Sequence, residues 1–254
     1  MTVFVCDDST DGIFSGVYDA WDSRVGHDRV RLEVGEGMNF QLFADYREIP
    51  VDSIKAEKVA RTVRNRMGEE DYYHIYHATL SKEKDKADCI YHTIVEGLKG
   101  GGSRSVMQYL QNDAVRRVFE MSRNIQNEAH RYLQFVRFRE LENGVLFSEI
   151  RPENQVLPLI GEHFADRFPG EHFMIYDITH RVFLIHEAHR QWALVRGEQP
   201  NQELTQRVSG QEKDYQELWK GFCHTIGIKE RRNLRLQQQF LPKKFRKYMT
   251  ENFD

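Results

Sequence analysis

Residues 128–139 hold the densest cluster of side chains that could transfer protons or bind an anion. His130 lies between acidic and basic neighbours and could act as a general acid or base, with Glu149 or Asp177 as the carboxylate that orients its imidazole. The histidines fall in separate segments without HExxH or HxH spacing, so the sequence predicts no metal site and assigns no cofactor. Because a lone histidine is more often structural than catalytic, the question of enzymatic activity stays open.

Arg137 and Arg139 suit phosphate or carboxylate recognition, because each guanidinium offers a planar fork of donors. Residues 135–141 alternate at the period of a β-strand, so both side chains are predicted to project from one face, shortly after Arg131 at the end of a helix. The alternative is that the two arginines form cross-strand salt bridges with Glu149 or with glutamates beside the turn. The sequence leaves both interpretations open.

The second basic segment, residues 229–247, interleaves lysines and arginines with amide and aromatic side chains. Contact with a phosphate backbone, combined with base stacking or base-edge contact, requires these residue types. The same pattern is also typical of any basic amphipathic helix. The predicted nucleic-acid contacts are Arg131, Arg137, Arg139, Arg231, Asn233, Arg235, Gln237, Lys243 and Lys244.

Charge is distributed unevenly along the 254 residues, although the net charge is only −3. Residues 1–60 contain twelve acidic and six basic side chains, whereas residues 229–254 contain eight basic and three acidic ones. Such segregation creates a local field that attracts polyanions. The alternative is that the acidic front of the chain packs on its basic tail.

Apolar periodicities place these residues in an α+β fold. Asp52 and Asp113 are predicted to cap helices, as are residues 7–10, and Asn143-Gly144 predicts a type I′ hairpin turn. An antiparallel sheet of about five strands is predicted in the middle of the chain, from strands at 135–141, 145–150, 172–178, 181–186 and 191–195. Further strands are predicted at 2–6, 29–34 and 39–43. Packed helices precede and follow the sheet, with the main ones at 52–67, 70–80, 84–98, 113–133, 154–168, 212–226, 234–240 and 245–249.

Three segments are predicted: a mainly helical region at 1–99, a helix and sheet core at 100–196, and a basic helical segment at 197–254 that packs on the core. A triple glycine at 100–102 and a polar linker at 196–211 separate them. The three cysteines are odd in number and far apart, which argues against a disulfide framework and favours a reducing compartment. No run approaches the roughly 18 apolar residues of a membrane span, so a cytoplasmic protein is expected.

Three strings of the sequence resemble a bacterial family of unknown function that is described in terms of DNA metabolism and DNA repair. They are VCDDSTDGIFSGVYDAW, EAHRYLQFVRFRELENGVLFSEIRPENQVLPLIGEHFADRF and LWKGFCHTIGIKERRNLRLQQQFLPKKFRKYMTE. Members of that family are typically encoded beside a radical-SAM protein distantly similar to spore photoproduct lyases, and related domains are fused to uracil-DNA glycosylase domains. The resemblance therefore implies a DNA repair context and a radical-SAM partner, but it supplies no established catalytic residues.

The leading expectation is a DNA-binding accessory protein that holds damaged or modified DNA for a partner enzyme. One alternative is an enzyme that acts on DNA or nucleotides through His130. The other is a protein-interaction scaffold whose basic tail docks on an acidic partner.

Overall fold

The computed structural model describes residues 1–35, 42–99, 105–226, 228, 233–246 and 249. The chain divides into two compact units, Met1–Asn127 and Glu128–Asp254, called here the first and the second unit. The fold is α+β, as predicted, with a five-stranded sheet in the middle of the sequence. The triple glycine at 100–102 and most of the strand predicted at 39–43 lie outside the described residues, and the three predicted segments stay a prediction.

A three-stranded parallel sheet forms the base of the first unit. Its strands are β1 (Thr2–Cys6), β2 (Val30–Val34) and β3 (Asp45–Glu48), in the order β2-β1-β3. Parallel neighbours require crossover connections, and helix α1 (Thr10–Asp22) provides the one between β1 and β2. The sequence predicted strands at 2–6 and 29–34 but no sheet, because pairing between distant strands leaves no local pattern.

Helices α1 and α2 of the first unit begin at the caps that the sequence predicts. Ser9 Oγ accepts the backbone N–H of Gly12 at 3.1 Å at the start of α1. Asp52 Oδ1 accepts the backbone N–H of Ile54 at 2.9 Å at the start of α2. These caps satisfy N–H groups that the first helical turn leaves without partners. The other helices of this unit are α2 (Ser53–Met67), α3 (Glu69–Thr79) and α4 (Lys86–Lys99).

Helix α1 packs unusually close to β1. A Cβ atom at Gly16 would lie 2.1 Å from Cys6 Sγ, so only glycine permits this approach. Burial, with Asp19 and Asp7 nearby, raises the pKa of the Cys6 thiol to about 12. The thiol is therefore protonated at neutral pH, which excludes Cys6 as a nucleophile.

Helix α5 (Asp113–Phe135) is 23 residues long and contains the boundary between the units. Asn112 caps it rather than the predicted Asp113, since Asn112 Oδ1 accepts the backbone N–H of Ala114 at 3.0 Å. The strand predicted from residue 135 is wrong up to residue 138. The buried Tyr132 and Val136 are spaced as on a helix, and Val136 N donates to Tyr132 O at 3.0 Å.

The second unit contains the five-stranded sheet, which is mostly antiparallel as predicted. Its order is β4-β5-β6-β7-β8, and β5 and β6 are parallel because helix α6 carries the chain back across the sheet between them. The elements are β4 (Arg139–Glu140), β5 (Leu146–Ile150), α6 (Leu157–Arg167), β6 (Phe173–Asp177), β7 (Val182–His186) and β8 (Ala193–Arg196).

The hairpin between β4 and β5 forms at the predicted place with a different turn. Gly144 N donates to Leu141 O at 2.9 Å and Leu141 N donates to Val145 O at 3.0 Å, which closes a three-residue loop. Gly144 has φ +78°, whereas Asn143 has no positive φ. A type I′ turn needs positive φ at both central residues, so the turn is of another type, with glycine in the left-handed position.

Among the residues that the structure describes, four helices follow β8, namely α7 (Gln202–Gln206), α8 (Gly210–Ile226), α9 (Leu234–Phe240) and α10 (Lys243–Arg246). The stretch predicted as a linker is attached to the hairpin, because Leu141 forms a β-bridge with Val208 and Glu142 N donates to Arg207 O. Within the described ranges, no helix is long and apolar enough to cross a bilayer.

Candidate nucleic-acid interface

Arg137 lies just after α5 and caps its end. Its Nη1 donates to the carbonyl oxygens of Gln134 at 2.9 Å and Val136 at 3.2 Å, which the last helical turn leaves without partners. The predicted strand face shared by Arg137 and Arg139 does not form, because only Arg139 belongs to a strand.

Arg139 takes part in the cross-strand ion pair that the sequence left as an alternative. Its Nη2 donates to Glu149 Oε2 at 3.0 Å and its Nε donates to Thr205 O at 3.3 Å. The guanidinium also lies over the Phe147 ring, 5.0 Å from the centroid. Arg139 therefore serves mainly to join the hairpin to the segment around Thr205.

Phe245 anchors the basic tail on the end of α5. The side chain is 3% exposed, and its ring centroid lies 5.0 Å from that of Tyr132 and 5.1 Å from that of Phe135. Helix α10 is therefore fixed beside the last two turns of α5. This contact brings the basic residues next to Phe245 to the part of the surface where Arg131 lies.

Lys244 joins the same anchor through two carboxylates. Its Nζ lies 3.2 Å from Glu153 Oε1 and 3.5 Å from Glu128 Oε1. The buried Glu128 carboxylate also accepts the backbone N–H groups of Glu153 at 2.9 Å and Asn154 at 3.0 Å. Lys244 is thus partly neutralised, and its charge holds α10 in place.

Arg131 and Lys243 are exposed, and no carboxylate within the described chain forms a salt bridge with either of them. Arg246 is half-buried, and its Nε donates to Leu241 O at 3.2 Å. Together, Arg131, Lys243, Lys244 and Arg246 form a surface that we call the α5–α10 surface. Arg131 and Lys243 are thus exposed to an external anion, whereas Lys244 is held in salt bridges and Arg246 is half-buried.

Helix α9 positions the predicted polar contacts differently. Asn233 Oδ1 accepts the backbone N–H of Leu236 at 3.0 Å, so its amide caps the helix. Arg235 is exposed and Gln237 is half-buried. Arg231 lies outside the described residues.

The three predicted catalytic residues have separate surroundings. His130 is exposed on α5, and its Nε2 lies 2.9 Å from the side-chain nitrogen of Gln134. Asp177 is 1% exposed and accepts the backbone N–H of Thr179 at 2.9 Å and the Nδ1 of His180 at 2.6 Å. Asp177 thus stabilises the turn between β6 and β7.

The sheet register separates the two carboxylates. Glu149 pairs with Tyr176, and Ile150 pairs with Asp177, on the parallel strands β5 and β6. Paired residues project to the same side, so Glu149 and Asp177 lie on opposite faces of the sheet. The structure does not bring these two residues together.

A family model described as a domain of unknown function, DUF4130, matches residues 84–251. The match covers about two thirds of the chain and includes all of the sheet of the second unit. The chain belongs to this family. The sequence matches no curated protein.

One solved structure similar to this DUF4130 chain is described as a member of the s1p family of ribosomal proteins, DHH domain. The alignment covers 74% of this chain and 73% of that chain, with 11% identity and a TM-score of 0.35. A likeness this weak carries no argument about fold or function.

The second unit of this DUF4130 chain also has a polar groove that sequence reasoning missed. It has a volume of about 570 Å³, and His186, Arg190 and Trp192 are among its lining residues. His186 Nδ1 donates to the carbonyl oxygen of Glu171 at 3.0 Å, which leaves Nε2 as the acceptor of the ring. In the part of the chain that the structure describes, no three His, Cys, Asp or Glu side chains are placed to hold a metal ion.

The burial of Phe245 is a second feature that the sequence did not predict. Phe245 lies among lysines and arginines in the sequence, and this pattern was interpreted as favouring base stacking rather than burial in the core. The pairing of Phe245 with Tyr132 and Phe135 spans more than one hundred residues, so no local pattern could have indicated it.

Proposed function

We propose that the chain is a DNA-binding accessory protein of DNA repair or DNA metabolism that contacts the DNA backbone through the α5–α10 surface. The supporting observation is the burial of Phe245 against Tyr132 and Phe135, which fixes α10, and Lys243 with it, beside the end of α5 that carries Arg131. Lysine and arginine side chains on one fixed surface neutralise successive phosphates and release their counterions.

The repair context and the partner are supported by the resemblance of the sequence to a family described in these terms. We infer that the protein acts in the bacterial cytoplasm with a radical-SAM protein, which would supply the iron–sulfur chemistry. In this proposal the chain holds the DNA and the partner carries out the reaction.

Fluorescence anisotropy with a labelled short duplex, measured over a series of salt concentrations, tests the DNA contact. Lys243→Ala and Arg131→Ala should each weaken binding and reduce the slope of log affinity against log salt by about 1, because each removes one phosphate contact. Arg190→Ala is the matched control, since Arg190 is an exposed arginine of the same unit, paired with Glu187 at 2.6 Å.

Two results would contradict the proposal. One is the absence of binding at low salt, and the other is an equal loss of affinity in Arg190→Ala and Lys243→Ala. Circular dichroism of each variant, compared with wild type, separates a lost contact from a lost fold.

The partner needs a separate test. An affinity-tagged chain should retain a radical-SAM protein of the kind encoded beside members of the resembled family when both are produced and purified without oxygen. If the two proteins do not associate, the partnership is rejected while the DNA contact is still judged by the salt series.

A further inference from the structure

Helix α8 has an apolar stripe that faces water. None of its 17 residues is buried, although five large apolar side chains recur at helical spacing. At about 100° per residue these side chains occupy a sector of roughly 100°. They are Tyr215 (65% exposed), Leu218 (68%), Trp219 (44%), Phe222 (52%) and Ile226 (58%).

The contacts of α8 with its own unit are polar and lie to one side of this stripe. Glu212 Oε2 accepts the backbone N–H of Glu140 at 3.2 Å, and within the helix Gln216 Nε2 steadies the same carboxylate by donating to Glu212 Oε1 at 2.6 Å. A helix of this length is marginal in water unless its apolar face packs against something. The stripe therefore indicates a binding face rather than a poorly packed core helix.

The spacing within the stripe is symmetric. Leu218 and Trp219 lie on either side of its midpoint, and Tyr215 and Phe222 lie three residues further out in each direction. A second copy of the helix that runs in the opposite direction would place Tyr215 against Phe222 and Leu218 against Trp219. A two-fold contact requires such self-complementarity, because the same patch serves on both subunits.

Charge favours the same orientation. Asp214 and Thr225 are exposed along the free edge of the stripe, near opposite ends of the helix. In a parallel pair opposite edges of the stripe meet, which places Asp214 beside the acidic Glu212 of the second copy. In an antiparallel pair like edges meet, which places Asp214 beside Thr225 and also aligns the helix dipoles favourably. Lys213, Lys220 and His224 project from the other side of the helix and stay in water.

The stripe is also large enough for a weak dimer. A buried aromatic side chain contributes about 150–250 Å², so five half-exposed side chains offer on the order of 500 Å² per copy. Two copies would then bury roughly 1,000 Å², which is near the lower limit for a specific interface.

We propose that α8 is a self-association face, on which the Tyr215–Phe222 stripe pairs antiparallel with the α8 of a second copy of the chain. Sedimentation velocity over about 1–100 µM should show a monomer–dimer equilibrium in the micromolar range. Leu218→Glu should raise the dissociation constant at least tenfold, because it places a charge at the centre of the contact. His224→Glu adds the same charge on the opposite side of the helix and should leave the constant within about twofold of wild type.

Cross-linking tests the orientation. In a Cys89→Ser, Cys223→Ser background, Asp214→Cys combined with Thr225→Cys should yield a covalent dimer with a short bismaleimide, whereas Thr225→Cys alone should not. A parallel pair would bring opposite edges of the stripe together and would cross-link neither variant.

Three results overturn the proposal: a wild-type chain that stays monomeric at about 100 µM, a dimer unaffected by Leu218→Glu, and equal effects of Leu218→Glu and His224→Glu. A cross-link from Thr225→Cys alone, or none from the double variant, overturns the antiparallel arrangement. Circular dichroism of Leu218→Glu at a concentration where wild type is monomeric shows whether the variant retains its fold.

Discussion

Exposed apolar side chains are distributed differently in the two units. In the first unit they occur at scattered positions such as Trp21 and Ile54. In the second unit they concentrate in residues 215–240, where neither α8 nor α9 has a buried residue, while Phe147 and Phe173 in the sheet are fully buried. Single exposed apolar residues are normal, whereas a contiguous patch marks a binding surface. Within the described part of the chain, the second unit thus combines a buried core with two helices, α8 and α9, whose large apolar side chains are exposed.

Two charged side chains of the first unit, Lys86 and Asp71, are buried. Lys86 is 1% exposed, and its Nζ donates to the carbonyl oxygen of Ser81 and pairs with Asp8. Asp71, also 1% exposed, accepts the hydroxyl of Ser105 and the backbone N–H of Val106. Buried carboxylates fix loops in the second unit too, as Asp177 and Glu128 do, so the two units differ in the apolar helix face that the second one presents to solvent.

The largest effect is expected from Phe173→Ala in the core of the second unit. Phe173 is 0% exposed and its ring contacts those of Phe138, Phe168 and His186. The loss of such a side chain costs about 3–5 kcal/mol of the free energy of unfolding. Hydrogen exchange of peptides from β6 and β7 measures the loss.

Phe240→Ala is the control for this comparison. Phe240 lies on α9 and is 70% exposed, so its removal should change exchange in the same peptides by less than about 0.5 kcal/mol. Equal losses in the two variants would mean that α9 contributes as much to the free energy of unfolding as the core of the second unit does.

A smaller effect is expected from Lys86→Met in the first unit. The variant deprives Ser81 O of its donor and leaves the half-exposed Asp8 without its partner, which should cost about 2–3 kcal/mol. Hydrogen exchange of peptides from α3 and α4 reports the loss. Lys84→Met, at an exposed position two residues away, should be nearly neutral, and a similar loss there would show that the interior ion pair is unimportant.

The smallest effect is expected on the free energy of unfolding when the pH is lowered. Burial, with His74 nearby, lowers the pKa of His77 from 6.5 to about 4. Between these values the unfolded chain binds more protons, so the stability contributed by neutral His77 is complete above pH 6.5 and is lost as the pH falls towards 4. Denaturant titrations should therefore show a loss on the order of 1 kcal/mol between pH 7 and pH 5.5.

His77→Gln should flatten this pH dependence without abolishing it, because the pKa of His74 is also lowered. An unchanged slope in His77→Gln would assign the acid sensitivity to another group.

Local signals in the sequence predicted most helices and strands. The caps at Ser9 and Asp52 and the hairpin glycine at 144 act within a few residues, so their residue types indicate the structure directly. The error at residues 135–138 arose because a short apolar run fits both the alternation of a strand and the spacing of a helix. The hydrogen bond from Val136 N to Tyr132 O and the burial of both side chains show that the helical spacing holds.

The candidate site was less predictable. Sequence spacing correctly indicated that Glu149 could neutralise Arg139, but it could not show that Glu149 and Asp177 face opposite sides of the sheet. The position of Lys243 depends on Phe245, whose partners are distant in sequence. The faces of Glu149 and Asp177 follow from the register of the sheet, and the position of Lys243 follows from the packing of two distant helices, so no local pattern encodes either.

The burial of Phe245 lowers the conformational entropy that the basic tail would lose on binding an anion. A free basic tail would lose about 1–2 kcal/mol of backbone entropy for every residue that a ligand orders. Here folding has already ordered α10, because Phe245 is buried and Lys244 is tied to Glu128 and Glu153. An anion that bound Lys243 would therefore meet a backbone that is already ordered, and more of each electrostatic contact would remain as affinity.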